Sequence, residues 1–133
     1  MVYSEVMELH RRSFQPFVKE LLRGRVSNHT CAKRSTRSWI ENNYPEYIID
    51  KDFEEWDPLW KEDHSETNDE EISRLRRLLE DIFTNDDASF ISLTTGSHAI
   101  SAVLNIVGAP HVEVSQGVTF PLFVKATKVG QRI

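Results

Sequence analysis

The chain has 133 residues, of which 39% are hydrophobic, which is enough apolar material for one domain with a modest core. Its net charge of −5 argues against a general nucleic-acid binder, because neutralising phosphates requires positive charge. A single cysteine, Cys31, excludes an internal disulfide framework, and no apolar run is long enough to span a membrane. We therefore expect one cytoplasmic domain over residues 1–133, with no nucleic-acid or membrane partner.

Charge is distributed unevenly along the chain. Residues 10–37 carry eight arginines and lysines against one acid, whereas residues 50–71 carry eleven acids against two lysines. The first region can attract an anion and the second repels it. Either the two regions face each other within the fold, or the basic region binds a small anionic ligand.

The first half of the chain predicts helices separated by irregular structure. Apolar residues spaced for one helical face predict a helix over about Ser4 to Arg23, with a kink at Pro16. Residues 25–34 are typical of a loop or a short strand. Ser35 is placed to cap a short helix through Asn42. Residues 47–64 mix aromatic and acidic side chains, and we expect an irregular, helix-containing segment there.

A long amphipathic helix is predicted next. Thr67 and Glu70 form the spacing of a capping box, and the helix should run over about Asp69 to Phe83. Its buried stripe is expected to be Ile72, Leu75, Leu79, Ile82 and Phe83. The three arginines of this helix are expected mostly to face water, and they are Arg74, Arg76 and Arg77.

The last third predicts strands around an apolar helix. Phe90 to Thr94 is typical of a short buried strand, and His98 to Val107 of a buried helix that ends at Gly108. Two further strands are predicted at 112–114 and 118–125. This order of elements favours an α/β layered domain with helices flanking a sheet.

The best candidate site is the turn that joins the predicted strand to the apolar helix, formed by Thr94, Thr95, Gly96, Ser97 and His98. Free backbone N–H groups and the positive end of a helix dipole make such a turn a cradle for an anion. The dipole disfavours a charged ring, so a neutral, basic imidazole is expected at His98. Alternatively, Ser97 only caps the helix and His98 only fills its first turn.

A second candidate site lies in the basic region. His29, with Arg34 and Arg37, could meet an anionic ligand, or it could belong to an ordinary surface loop. Cys31 could act as a nucleophile only with a base beside it. We expect no metal ion and no cofactor, because no residue spacing matches a recognised metal-ligand pattern.

The run RLRRLLEDIFTNDDASFISLTTGSHAISAVLNIVG resembles the C-terminal core of fungal phosphoglycerate-mutase-like histidine phosphatases. The stretches HTCAKRSTRSWIENNYPEY and DPLWKEDHSETNDEE are similar to the same group, so the resemblance covers about His29 to Lys125. It implies a truncated α/β domain with a central, mainly parallel sheet between helices. It also implies phosphoryl transfer through a phosphohistidine, without a metal cofactor.

The resemblance breaks where the family's chemistry is expected. No Arg-His-Gly motif occurs, and the chain starts downstream of where that motif belongs. Gly96 stands at the position of the family's second histidine, and His98 stands at the usual glycine position. Gly24 replaces the acid that often follows a Leu-Arg pair, and Ala32 replaces an acid after Cys31.

Three hypotheses follow. The chain could be a degenerate domain that binds a small anionic or polar ligand. It could be a repurposed isomerase, lyase or hydrolase of fungal specialised metabolism, with His98 as general acid or base and His29 or Arg34 assisting. It could also be a subunit that a partner chain completes to form a phosphatase. Because a central strand of the family's sheet is missing, we expect a homodimer to cover the exposed surface.

Overall fold

The computed structural model describes residues 15–129, which contain a small parallel sheet and three α-helices. In chain order the elements are strand β1 (Phe17–Val18), helix α1 (Arg37–Asn43), strand β2 (Ile48–Ile49), helix α2 (Asn68–Asn85) and helix α3 (Ser97–Ile106). Two short 3-10 helices are also present, Glu20–Leu22 and Thr30–Ala32. The mixed α/β class predicted from the sequence is confirmed.

The sheet consists of β1 and β2, which run parallel with Phe17 opposite Ile48. The backbone N–H of Ile48 donates to the carbonyl of Pro16 over 3.0 Å. The helix predicted over Ser4 to Arg23 is therefore wrong for residues 15–23, and residues 4–14 lie outside the described residues. Proline lacks the N–H that a helix interior needs, and here Pro16 contributes a carbonyl to the sheet instead.

Helix α1 begins one residue later than the sequence indicated. The side chain of Thr36, not Ser35, accepts the backbone N–H of Trp39 over 3.2 Å and caps the helix. The helix ends at Asn43, before a Tyr-Pro pair that disfavours helical backbone. The described residues 50–64 contain no helix, contrary to expectation, and their only regular feature is a bridge between Lys61 and His64.

Helices α2 and α3 pack together to form the hydrophobic core. The core joins Leu75, Leu78 and Ile82 of α2 to Ala99 and Ala102 of α3. The two alanines lack bulky side chains and let the helices approach closely. Leu78 was absent from the predicted stripe, and Phe83, which was included, is exposed. Within residues 15–129, no helix combines the length and the apolar character that crossing a bilayer requires.

The predicted start of α2 and the predicted end of α3 are confirmed. Thr67 and Glu70 form a complete capping box at the start of α2, with hydrogen bonds of 3.1 and 3.2 Å. Three acids lie in the first turn, where the positive end of the helix dipole stabilises negatively charged side chains. Gly108 follows the end of α3 with a φ of 73°, a left-handed conformation that glycine adopts without strain.

Arg74 is buried, contrary to the prediction that it faces water. Only 5% of the residue is exposed, and its guanidinium forms two hydrogen bonds to the carboxylate of Glu66, of 2.7 and 2.9 Å. The same guanidinium donates to the carbonyls of Leu21, Arg23 and Gly24. Arg74 therefore fastens the segment after the first 3-10 helix onto α2.

The strands predicted at 90–94, 112–114 and 118–125 are not formed among the described residues. Among the described residues, no backbone–backbone hydrogen bond connects residues 89–94 or residues 110–129 to another segment. Phe90 is 94% exposed and Phe123 is fully exposed. The sequence of these segments suits strands, but a strand forms only against a partner that accepts its backbone hydrogen bonds.

We expect the substitution Arg74→Ala to destabilise the fold by about 3 to 5 kcal/mol, because it leaves the buried carboxylate of Glu66 without its charge partner. Arg77→Ala on the exposed face of the same helix is the matched control, and it should change the free energy of unfolding by less than about 0.5 kcal/mol. Urea denaturation measures both. Equal effects of the two substitutions would show that the buried ion pair does not hold the segment.

Candidate functional site

His98 lies in the first turn of α3, at the mouth of a cleft. Gly96 occupies the N-cap position and provides no side-chain hydrogen bond, so the alternative in which Ser97 caps the helix is wrong. The side chain of His98 is 53% exposed. It is therefore accessible to a ligand.

A buried carboxylate faces the imidazole. Glu71 is 1% exposed, and its Oε2 lies 2.7 Å from Nδ1 of His98. This contact is within ion-pair distance but lacks the alignment of a hydrogen bond, and neither oxygen of Glu71 has another hydrogen-bond partner among the described residues. A buried polar group is costly unless it has a partner, so Glu71 depends on the groups that face it.

Arg25 reaches the other nitrogen of the same ring. Its Nη1 lies 2.9 Å from Nε2 of His98 and 2.7 Å from Oδ1 of Asn68, and its Nη2 donates to the carbonyl of Glu66 over 2.9 Å. The distance from Nη1 to Oε2 of Glu71 is 3.9 Å. The result is a continuous chain of contacts from Glu71 through His98 to Arg25.

A cleft of about 420 Å³ opens beside this chain of contacts, between the start of α2 and the helix α3. Hydrogen-bonding side chains occupy much of its wall, and they are Asn68, Glu71, His98, Ser101, Asn105 and His111. Ile72, Ala102 and Leu104 add apolar surface. Within the described residues, no cluster of three or more histidine, cysteine or carboxylate side chains is arranged to hold a metal ion. The lining suits a small polar organic molecule or anion.

Gly24 and Gly96 contact each other. A Cβ atom built on Gly96 would lie 3.6 Å from the Cα of Gly24, and one built on Gly24 would lie 3.9 Å from the Cα of Gly96. Both distances are ordinary van der Waals contacts, so larger residues are not excluded by these contacts. The positions that the sequence resemblance associates with an acid and a histidine are thus adjacent in space, and neither carries a side chain.

Arg34 and Arg37 are engaged inside the protein. Arg34 pairs with Glu20 over 2.8 Å, donates to four backbone carbonyls and stacks over the ring of Phe53. Arg37 pairs with Glu41 and donates to the carbonyls of Asp50 and Phe53. These contacts favour the interpretation in which the basic and acidic regions hold each other, and ligand binding by these arginines stays a prediction.

The remaining predicted site residues are scattered. His29 is exposed, and its carbonyl accepts the indole N–H of Trp60 over 2.9 Å. Cys31 is free and exposed. The hydroxyl of Thr95 donates to the carbonyl of Leu22 over 2.6 Å, which ties the turn to the first 3-10 helix. Thr94 and Ser97 are exposed, and no contact described here connects His29 to His98.

Sequence reasoning found His98 but missed Arg25 and Glu71. A signal was present for Glu71, because its position falls on the same helical face as Leu75, Leu78 and Ile82. An acid within a buried stripe indicates a partner that must be supplied by another element. No pattern distinguished Arg25 from the other arginines of the basic region, because its partners come from α2 and α3.

Two carboxylates near the site are held in the ionised state. Burial alone would raise the pKa of Glu66, but hydrogen bonds from Arg74 and from the backbone N–H of Val26 hold it below its usual range. Burial opposes ionisation of Asp57 in the same way, and hydrogen bonds from Arg23 and three backbone N–H groups lower its pKa strongly. Both acids fasten the segment that carries Gly24 and Arg25.

Curated proteins similar to the chain include two from fungi. A probable phosphoglycerate mutase of Arthroderma benhamiae is 39% identical over 114 residues, which are 86% of this chain and 34% of that protein. A probable phosphoglycerate mutase of Saccharomyces cerevisiae is 31% identical over an alignment of 105 residues, and the alignment covers 70% of this chain and 36% of that protein. The chain is related to the phosphoglycerate-mutase-like histidine phosphatases.

The chain spans about a third of the length of the curated relatives it matches. No family model matches it, and no solved structure matches it. The family relationship indicated by the sequence is confirmed, while the loss of the family's chemistry stays a prediction.

We expect the ion pair of Glu66 to make the stability of the protein depend on pH. The folded-state pKa of Glu66 lies below its ordinary value of 4.5, so the pair contributes stability above that pH. The contribution is lost as pH falls through the lower, folded-state pKa. Urea midpoints of the wild type and of Glu66→Gln, measured from about pH 7 to about pH 3, should therefore converge at the acidic end. A constant difference across this range would contradict the assignment.

Proposed function

We propose that this chain is a phosphoglycerate-mutase-like domain that no longer performs phosphohistidine chemistry and that binds a small anionic or polar ligand in the cleft beside His98. The proposal makes the chain a binding domain and not a phosphatase. It includes a cytoplasmic location, which the free thiol of Cys31 supports because exposed thiols suit a reducing compartment.

The contact between Gly24 and Gly96 carries this proposal. A phosphohistidine mechanism needs a nucleophilic imidazole and further groups that stabilise the phosphoryl oxygens and move a proton. The resemblance places an acid and a histidine at these two positions, and their proximity supports that correspondence. Because glycine has no functional side chain, neither position can supply its part of the reaction.

The chemistry of the cleft supports ligand binding. Asn68, Ser101 and Asn105 offer neutral donors and acceptors, and His98 and His111 add two imidazoles. A volume of about 420 Å³ is within the range of small-molecule sites. The apolar wall supplied by α2 and α3 would bury the carbon skeleton of such a ligand.

A second candidate function is acid–base catalysis by His98 as a repurposed isomerase, lyase or hydrolase. The distance of 2.7 Å between Glu71 and His98 favours it, because a carboxylate that orients an imidazole is a recurrent feature of general bases. Nε2 is occupied by Arg25 in this structure. Catalysis would therefore require a substrate that displaces Arg25 from the ring.

Completion by another polypeptide is a third candidate, and the exposed Phe90 and Phe123 favour it. A second copy of the chain could cover these side chains as a homodimer, and so could a different partner chain. A partner would restore phosphatase activity only by supplying every reactive group itself, because Gly24 and Gly96 belong to this chain.

Incubation of the full chain with 3-phosphoglycerate or p-nitrophenyl phosphate should give neither turnover nor a phosphorylated protein detectable by intact mass spectrometry. The reason is that the sequence contains no Arg-His-Gly motif to supply the nucleophile, and that the two glycines provide neither the second histidine nor the acid. Phosphorylation that disappears in the variant His98→Gln would contradict the proposal and would assign the nucleophile to the displaced histidine.

Ligand-observed NMR with a mixture of hydroxy acids, amino acids and sugar phosphates tests the binding part separately. We expect binders whose signal weakens several-fold when Ser101, in the cleft wall, is changed to alanine. Ser73→Ala on the exposed face of α2 is the matched control and should leave binding unchanged. Binders unaffected by either change would place the site elsewhere.

A further inference from the structure

A cluster of aromatic rings lies on the surface where helix α1 leads into strand β2. The rings of Trp39 and Tyr44 meet edge to face with their centroids 6.2 Å apart, and Tyr44 stacks on Tyr47 at 5.0 Å. Trp39 is 48% exposed and Tyr44 is 42% exposed. These three rings, here called the aromatic face, are in continuous contact with one another and are open to solvent.

Acidic side chains lie around the aromatic face. Residues 41–55 contain six acids and one lysine. Glu46 is exposed and lies in the turn between the two tyrosines. The backbone N–H and the hydroxyl of Ser38 both donate to Oε2 of Glu55, which places this carboxylate beside the residue that precedes Trp39. The negative potential of this region attracts cations and repels nucleic acids and anionic lipids.

The protein already binds one of its own arginines by combining a ring with a carboxylate. The guanidinium of Arg34 lies over the ring of Phe53, 4.0 Å from its centroid, and pairs with Glu20 over 2.8 Å. The ring attracts the cation through the negative charge on its face, and the carboxylate adds a charge-assisted hydrogen bond. The aromatic face offers the same two kinds of group, and no lysine or arginine among the described residues stacks on its rings.

We propose that the aromatic face is a docking surface for a basic peptide segment of a partner protein, with an arginine of that segment stacked on Trp39 and paired with a neighbouring carboxylate. The inference goes beyond the proposed function, because it concerns a different surface and a different kind of ligand. Charge complementarity selects this partner, since the surrounding acids favour basic side chains and disfavour acidic ones. Arginine is preferred to lysine, because its planar guanidinium stacks on a ring and binds a carboxylate through two parallel hydrogen bonds.

Fluorescence anisotropy of a labelled short peptide of alternating glycine and arginine, titrated with the full chain, tests the docking surface. We expect saturable binding, several-fold weaker binding of the matching lysine peptide, and no binding of the matching glutamate peptide. Binding of the arginine peptide should weaken as salt is raised from about 0.05 M to about 0.5 M, because salt screens charges on an exposed surface.

Substitutions assign the binding to the aromatic face. Trp39→Leu keeps an apolar side chain but removes the ring, and it should weaken binding of the arginine peptide by about threefold to tenfold and reduce the preference for arginine over lysine. Tyr44→Leu repeats the test at a second ring. Glu46→Gln, at an exposed position, should weaken binding by about twofold to fivefold.

Two matched controls lie outside the aromatic face. Phe90→Leu removes a ring that is 94% exposed, and Glu80→Gln neutralises an exposed acid on α2. Both variants should bind the arginine peptide like the wild type. Circular dichroism checks that every variant is folded.

Several results would overturn this inference. Absence of saturable binding, equal binding of the arginine and glutamate peptides, or unchanged binding in folded Trp39→Leu and Glu46→Gln would each do so. Light scattering that shows a dimer in the wild type and a monomer in Trp39→Leu would assign the aromatic face to a second copy of the chain, and would also overturn it. None of these results bears on ligand binding in the cleft beside His98, which the change at Ser101 tests separately.

Discussion

The buried ion pair between Arg74 and Glu66 is the constraint on which the site depends. Arg74 lies on the core-facing side of α2, yet its guanidinium binds the carbonyls of Leu21, Arg23 and Gly24. Glu66 binds that guanidinium with its carboxylate, and it accepts Arg25 at its carbonyl. One charged pair thus fixes an irregular segment that has little regular hydrogen bonding of its own. Such a pair is tolerated in a core only when its remaining hydrogen bonds are satisfied, as they are here.

The position of the segment that carries Gly24 and Arg25 determines which side chains face the start of α3. Glu71 precedes Arg74 by one helical turn, so the same face of α2 presents a carboxylate to His98 and a guanidinium to the neighbouring carbonyls. The chain is similar to curated probable phosphoglycerate mutases, and the loss of the family's reactive side chains stays a prediction.

Local signals in the sequence predicted α1, α2 and α3 well, but they predicted the strands and the other helices poorly. The capping box of α2 and the glycine after α3 depend on a few adjacent residues, so they could be predicted from spacing alone. A strand depends on a distant partner, and Phe90 to Thr94 has none among the described residues. The same difference between adjacent residues and distant partners applies to the candidate site. His98 was found from its place in a turn before a helix, but Glu71 and Arg25 become functional candidates only when α2 and the basic segment meet α3.

The tautomer of His98 tests the central claim of this account most directly, because the claim is that the ring is held between Glu71 and Arg25. Nitrogen NMR shifts of the imidazole, measured on selectively labelled protein above the pH range of histidine titration, report which nitrogen carries the hydrogen. The account predicts hydrogen on Nδ1 and a free lone pair on Nε2 that accepts from Arg25. Hydrogen on Nε2, or an equal mixture of tautomers unchanged in Arg25→Gln, would contradict it.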